Sequence, residues 1–147
     1  MSLKEVDKSI TLWLGHYGLK ALRFSIAVIF VWFGLLKVIG YSPATKLVSN
    51  TVYWVNPSWF VPFLGWWEVI IGLCFFLRPL IRLGIALLIP QIVGTFLPLV
   101  LLPSVTFQKS SFLLPTLEGQ YIIKNLVIIS AAMVIGATVR KHNESLK

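Results

Sequence analysis

Seven polar or ionisable side chains stand inside or beside stretches of this chain that otherwise carry almost nothing polar: Lys37, Glu68, Gln91, Glu118, Tyr121, Lys124 and Asn125. An ionisable group in hydrocarbon is costly, so each one marks either a structural pair or a working site. The chemistry open to this set is narrow. A carboxylate and an amine can neutralise each other, an amide can bridge two helices, and together they can hold a ligand by charge-assisted hydrogen bonds. No carboxylate dyad for acid–base work lies within these stretches. His16 and His142 fall outside them, so neither an intramembrane haem pair nor a metal cluster is indicated. No Gly-rich phosphate loop, nucleophile elbow or Ser/His/Asp set appears. Cys74 is the single cysteine. It can form no intrachain disulfide or C-x-x-C pair, and it reads as a small buried apolar residue.

The elements that must position these residues are the apolar stretches themselves, at 22–38, 61–77, 80–102 and 121–139. Each is close to the about 20 residues that a bilayer core of about 30 Å requires of a helix. The chain is 57% hydrophobic and 12% charged, with a mean hydropathy of +0.86. Soluble domains carry about 25% charged residues, and 147 residues enclose too little interior to hide four such segments from water. The expected fold is therefore all-α: a small polytopic membrane protein with a four-helix transmembrane bundle over 21–139. Residues 1–20 read as a short amphipathic helix in the cytoplasmic interface. Leu3, Val6, Ile10, Trp13, Leu14 and Tyr17 fall at helical spacing on one face, and Gly15 and Gly18 loosen its end so that the chain can turn into the membrane. A helix docking on a soluble partner would show the same pattern. The first apolar run follows about twenty residues, is too long for a signal-peptide core and has no A-x-A-like site after it, so it is expected to remain attached. Residues 140–147 form a basic tail.

Charge placement gives an orientation. The net charge is +8, which raises nucleic acid as a partner, but the positions favour a membrane surface instead. Lys4, Lys8, Lys20, Arg23, Arg78, Arg82, Arg140, Lys141 and Lys147 lie at helix ends or tails on one side. Lys46 and Lys109 lie on the other, and Lys37 and Lys124 lie within the spans. The positive-inside rule then sets both termini in the cytoplasm, in a multi-pass protein of the cell (inner) membrane. Tyr53, Trp54, Trp59 and Phe60 in the connection 41–60 suit the outer headgroup level. Arg78-Pro79 makes a short cytoplasmic turn. Pro90 bends the third span, since proline removes a backbone bond.

Spacing also orients the polar groups. Gly65, Glu68 and Gly72 share a stripe at i, i+3, i+7, and glycine on a membrane helix permits close contact, which points Glu68 into the bundle. Phe30, Gly34 and Lys37 form a comparable stripe. Glu118, Tyr121 and either Lys124 or Asn125 form a third. The expected cluster lies in the outer half of the bundle, about two turns deep, with Glu68 kept charged by Lys37 or by Lys124. Lys37 could instead snorkel to the outer headgroups. Gln91 sits near the middle of the third span, and Gln91 and Asn125 suit interhelical hydrogen bonds. Trp66 and Trp67 either line the pocket or anchor the interface.

Three runs are similar to a known family. Leu22-Arg23-Phe24-Ser25-Ile26-Ala27 through Phe30-Val31-Trp32-Phe33-Gly34-Leu35-Leu36-Lys37 resembles the first helix of the DoxX-like membrane proteins, above all the YkgB-type branch with its R-x-S-I-A…F-x-W-x-G-L-L-K pattern. Trp67-Glu68-Val69-Ile70-Ile71-Gly72 resembles that family's E-x-x-x-G motif. A third run, Glu118 to Asn125, resembles the G-R-x-x-x-K-D opening of its fourth helix. It departs at Gln120, where a base is expected, and at Asn125, where an acid is expected. The resemblance implies a four-helix membrane bundle and links to the membrane subunit of a thiosulfate:quinone oxidoreductase and to oxidative or chlorine stress resistance. Fold does not settle function. The leading expectation is a non-catalytic membrane component, not an enzyme on its own, binding a partner or lipophilic ligand at the polar pocket. A quinone-interacting subunit of an oxidoreductase, with quinone the cofactor and a redox protein or a second copy as partner, is the alternative. Small-solute or proton transport is the third.

Overall fold

The computed structural model describes residues 3–109 and 111–144, the side chains of 140–144 excepted. The charges expected in the tail, on Arg140, Lys141 and Lys147, and the imidazole of His142 lie outside that description. The described chain is helical almost throughout. Its elements are α1 (Leu3–Val38), α2 (Thr45–Thr51), α3 (Pro57–Phe76), α4 (Ile81–Leu101), α5 (Pro103–Thr106), α6 (Leu117–Ile123) and α7 (Asn125–Glu144), with a 3₁₀ turn at Arg78–Leu80 joining α3 to α4. Four stretches are long and apolar enough to cross a membrane: Leu3–Val38, Pro57–Phe76, Arg78–Leu101 and Leu117–Val139. The expected all-α four-helix membrane bundle is the fold observed.

The bundle closes as a ring in which α1 packs on α3, α3 on α4, α4 on α7 and α7 back on α1. Its core joins Ile26, Ala27 and Phe30 of α1 to Ile71 and Phe75 of α3, Ile81 and Leu88 at and in α4, and Ala131, Ala132 and Ile135 of α7. The tightest seam is α1 against α3. A Cβ on Gly34 would stand 2.5 Å from the Gly65 carbonyl, and one on Gly65 would stand 2.6 Å from the Gly34 carbonyl. Gly72 makes the same demand against the Ala27 carbonyl at 2.7 Å. Only glycine allows backbones to approach so closely, which is how small residues associate membrane helices. Cys74 packs where α4 passes, its Cβ 2.9 Å from where a Gly84 side chain would begin.

Local chemistry fixes the ends. Gly40 adopts φ +79° and closes α1, with Tyr41 N–H donating to the Leu36 carbonyl at 2.9 Å and Gly40 N–H to Lys37 at 3.3 Å. That paired pattern needs a left-handed residue, which glycine supplies without a Cβ clash. At the start of α3 the Asn56 carboxamide accepts from Ser58 N–H at 3.0 Å and from its hydroxyl at 2.7 Å, with Pro57 in the first turn. This cap starts α3 at 57, ahead of the expected 61, and leaves Pro62 inside the helix.

Two local expectations are corrected. The turn expected at Gly15 and Gly18 is absent, because α1 runs unbroken from Leu3 to Val38, 36 residues. Nothing lies within 4 Å of a Cβ built on either glycine, so no neighbour forces a bend, and glycine alone weakens a helix by only about 1 kcal/mol. The fourth span, expected to begin at 121, starts at Leu117 under a Thr116 cap whose hydroxyl accepts from Gly119 N–H at 3.2 Å. It is interrupted at Lys124, between α6 and α7.

Candidate functional site: an ion pair and an amide across three helices

On an α-helix every side chain leans toward the N-terminus. Because α1 and α3 run antiparallel, Lys37 leans down the bundle and Glu68 leans up, so two residues placed on opposite sides of the Gly34–Gly65 crossing converge. The result is an ion pair from Lys37 Nζ to Glu68 Oε2 at 2.5 Å. Both residues are buried, each 8% exposed. The other carboxylate oxygen, Oε1, accepts from Gln91 Nε2 of α4 at 2.6 Å. Each oxygen of Glu68 is thus held by a different helix, and the positive and negative charges cancel where water is scarce. Lys37 does not snorkel outward; its ammonium turns into the bundle.

Glu68 lies deeper in its helix than expected, while Lys37 stands in the last turn of α1 and Gln91 in the middle of α4, as expected. Glu68 is the twelfth of the 20 residues of α3, about 16 Å from its start at 1.5 Å per residue. Gln91 is the eleventh of the 21 residues of α4. The expected depth of about two turns assumed a start at 61, and the Asn56 cap moves that start outward. Two further bonds brace the α4 side. Trp67 Nε1 donates to the Leu87 carbonyl at 3.2 Å, and Thr95 Oγ1 donates to the Gln91 carbonyl at 2.8 Å. Pro90 lies between these carbonyls and lacks an N–H for the Ala86 carbonyl, so backbone bonding is already thinned where side chains step in. Trp67 is thus a helix-to-helix tie, and its neighbour Trp66 is exposed.

The structure therefore joins Lys37, Glu68 and Gln91. It does not bring Glu118, Tyr121, Lys124 or Asn125 to them. Glu118, Tyr121 and Lys124 are exposed, and the Lys124 ammonium lies over the Tyr121 ring, 5.3 Å from its centroid. Asn125 Nδ2 donates to the Tyr121 and Ile122 carbonyls, each at 3.0 Å. An asparagine that bonds its own preceding turn competes with the helix ladder, and the break at Lys124 is where it does so. The interhelical role expected of Asn125 is replaced by this local one, and the Glu68–Lys124 alternative gives way to Glu68–Lys37.

No protein-family model, no characterised protein and no solved structure matches this chain.

Two features escaped the sequence reading. One is Trp67, whose position beside Glu68 carried no signal that its indole would reach α4. The other is the fold of the loop between α5 and α6. There Phe107 and Pro115 form an antiparallel bridge. Thr116 N–H donates to the Thr106 carbonyl at 2.9 Å and its hydroxyl donates to the Val105 carbonyl at 2.7 Å. Thr106 is fully buried at this knot. Beside it opens a mainly apolar cleft of about 260 Å³ lined by Pro103, Ser104, Phe107 and Phe112. The pairing of Thr106 with Thr116 was the available signal, but a ten-residue separation has no fixed register in an irregular loop.

Proposed function

We propose that the chain is a DoxX-like protein of the cell membrane that acts as a non-catalytic membrane component, its Lys37–Glu68–Gln91 site receiving a lipophilic ligand or membrane partner. The observation that carries this reading is the Glu68 carboxylate held by Lys37 on one oxygen and Gln91 on the other. Lys37 and Glu68 belong to the two runs that resemble the family's first and second helices, and these runs meet at one point of the bundle. Gln91 is only half-buried, while its two partners are buried. The more exposed edge of the site is therefore the Gln91 side chain, and a ligand hydroxyl entering between α3 and α4 would take the place of its amide on Oε1. A quinol carries such a hydroxyl, and the quinone-interacting reading is the special case in which another chain supplies the electrons.

In this proposal the helices cross four times and both termini lie in the cytoplasm, as the basic residues Lys20, Arg23, Arg78 and Arg82 at one end suggest. The test is to purify the protein and its Glu68→Gln and Lys109→Gln variants, then compare copurifying lipids by mass spectrometry and thermal shifts with ubiquinol and menaquinol. Glu68→Gln is expected to lose a copurifying species or a ligand-induced shift that Lys109→Gln retains. Identical lipid content and identical shifts in all three proteins would remove ligand binding and leave the site as a structural pin.

A further inference from the structure

Phe24 of α1 stacks edge-on with Phe76, the last residue of α3, at 5.5 Å between centroids. Residues before Phe24 run past the end of α3, Leu19 and Leu22 still pack on the bundle core, and residues 3–18 extend beyond them. That projection, residues 3–18, extends about 24 Å at helical rise. Its large apolar residues are exposed, Leu3 at 89%, Leu12 65%, Trp13 60%, Leu14 54%, Ile10 52% and Tyr17 47%, and Val6 is half-buried. An exposed apolar stripe of this length marks an interaction surface.

We infer that this stripe is the seam of a parallel two-stranded coiled coil with a second copy of the chain. The apolar residues Leu3, Val6, Ile10, Trp13 and Tyr17 are spaced 3, 4, 3 and 4, which is the a/d rhythm of a heptad. Lys4, Lys8 and Thr11 fall on the outer positions together with one apolar residue, Leu12, and Leu14 flanks the seam at an e position. A flat contact with the bilayer would need the helix to bend by a large angle where it meets the membrane, and α1 is continuous there. A second copy meets the geometric demand without any bend. Two copies inserted in one orientation enter the bilayer through the same end, so their projections stand parallel and in register.

The seam also has a built stop. Trp13 and Tyr17 pair at 5.3 Å between ring centroids, and the Lys20 ammonium lies 5.6 Å from the Tyr17 centroid. Lys20 occupies the next d position, where the same cation in a second copy would repel it, so the strands part as they reach the bundle. Two heptads are short for a coiled coil in solution, but anchoring in one bilayer raises the effective concentration of the strands. This inference needs only that the chain crosses a membrane and is independent of the Glu68 site.

The test places single cysteines along the projection of the full chain in a Cys74→Ser background, reconstituted in vesicles and mildly oxidised. Disulfide-linked dimer is expected to be several-fold more abundant for Ile10→Cys and Trp13→Cys than for Lys8→Cys and Thr11→Cys. A flat profile, or no dimer anywhere, overturns the inference. So does quenching of a label at position 10 by lipids brominated near the headgroup, which would place the stripe on the bilayer. A second arm keeps Cys74: in vesicles, resonance energy transfer between labelled copies should fall several-fold on Ile10→Asp while helix content by circular dichroism is unchanged. Undiminished transfer in that variant places any association elsewhere and also overturns it.

Discussion

Glu68 receives one hydrogen bond from a cation and one from a neutral amide, and the two donors do not carry equal weight. Removing Lys37 leaves a carboxylate buried with only Gln91 to hold it, and breaking a buried pair from one side costs about 3–5 kcal/mol. Lys37→Met is therefore expected to lower unfolding stability in detergent by about that amount. Replacing both partners with apolar residues, Lys37→Met with Glu68→Leu, should recover most of the loss, because the desolvation of two charges disappears along with their attraction. Gln91→Leu should cost about 1.5–3 kcal/mol, the net worth of one hydrogen bond to a charged group. Lys124→Gln, at an exposed site, should stay within about 0.5 kcal/mol of the parent. A Lys124→Gln effect as large as that of Lys37→Met, read by denaturant unfolding, would mean that the wrong amine had been paired. At this scale the sequence disclosed that Glu68 needed a cation but not which one. Glycine spacing pointed Glu68 inward, yet Lys37 and Lys124 both stood near the outer ends of their helices. The choice rests on Asn125 folding onto the Tyr121 and Ile122 carbonyls and on Lys124 turning to the Tyr121 ring, both local events with no periodic signature.

Helix α1 meets α3 over Gly34 and Gly65, and the ion pair depends on that approach. A Cβ at either position would stand 2.5–2.6 Å from the opposing carbonyl, which backbone cannot yield without the helices separating. Gly34→Leu should thus push α1 away from α3 and uncouple Lys37 from Glu68. The measurement is a double-mutant cycle: in the Gly34→Leu background, adding Lys37→Met should cost far less than the about 3–5 kcal/mol expected in the parent. An unchanged cost would show that the pair forms without the glycine seam. Gly94, with nothing within 4 Å of a built Cβ, serves as the contrast, and Gly94→Ala should be neutral or slightly stabilising. Apolar length and low charge made the four spanning elements readable in advance, because lipid demands both over a whole helix. Element ends were less readable. Asn56 and Thr116 start α3 and α6 through side-chain caps, which depend on one residue each, and apolar content changes little across them. The unbroken α1 shows the opposite error. Two glycines suggested a turn, but a helix ends where a competing set of bonds replaces its ladder, as Gly40 provides and Gly15 and Gly18 do not.

At the scale of the whole molecule, the ring α1–α3–α4–α7 commits the loops to opposite ends. The α3–α4 turn at Arg78–Leu80 lies at one end with the start of α1, while α2 and the Phe107–Pro115 loop lie at the other. An even number of crossings leaves the two termini on the same side of the membrane, and the proposed orientation makes that side the cytoplasm. The orienting charges have a simple distribution. Lys20, Arg23, Arg78 and Arg82 cluster at the turn end, and Lys46 of α2 and Lys109 of the α5–α6 loop stand opposite. Since short basic segments resist translocation, a periplasmic reporter inserted at Lys109 should be active, and the same reporter fused after Lys147 should be silent. The charges can be tested as the cause by replacing Arg23, Arg78 and Arg82 with glutamine. That change should raise the signal of the C-terminal fusion and lower that of the Lys109 insertion, as a fraction of chains inserts inverted. If the C-terminal fusion is bright in the parent protein and the Lys109 insertion dark, the orientation is reversed. The bundle and its Lys37–Glu68–Gln91 centre would stand, but the end of α1 carrying the seam would then project to the outside.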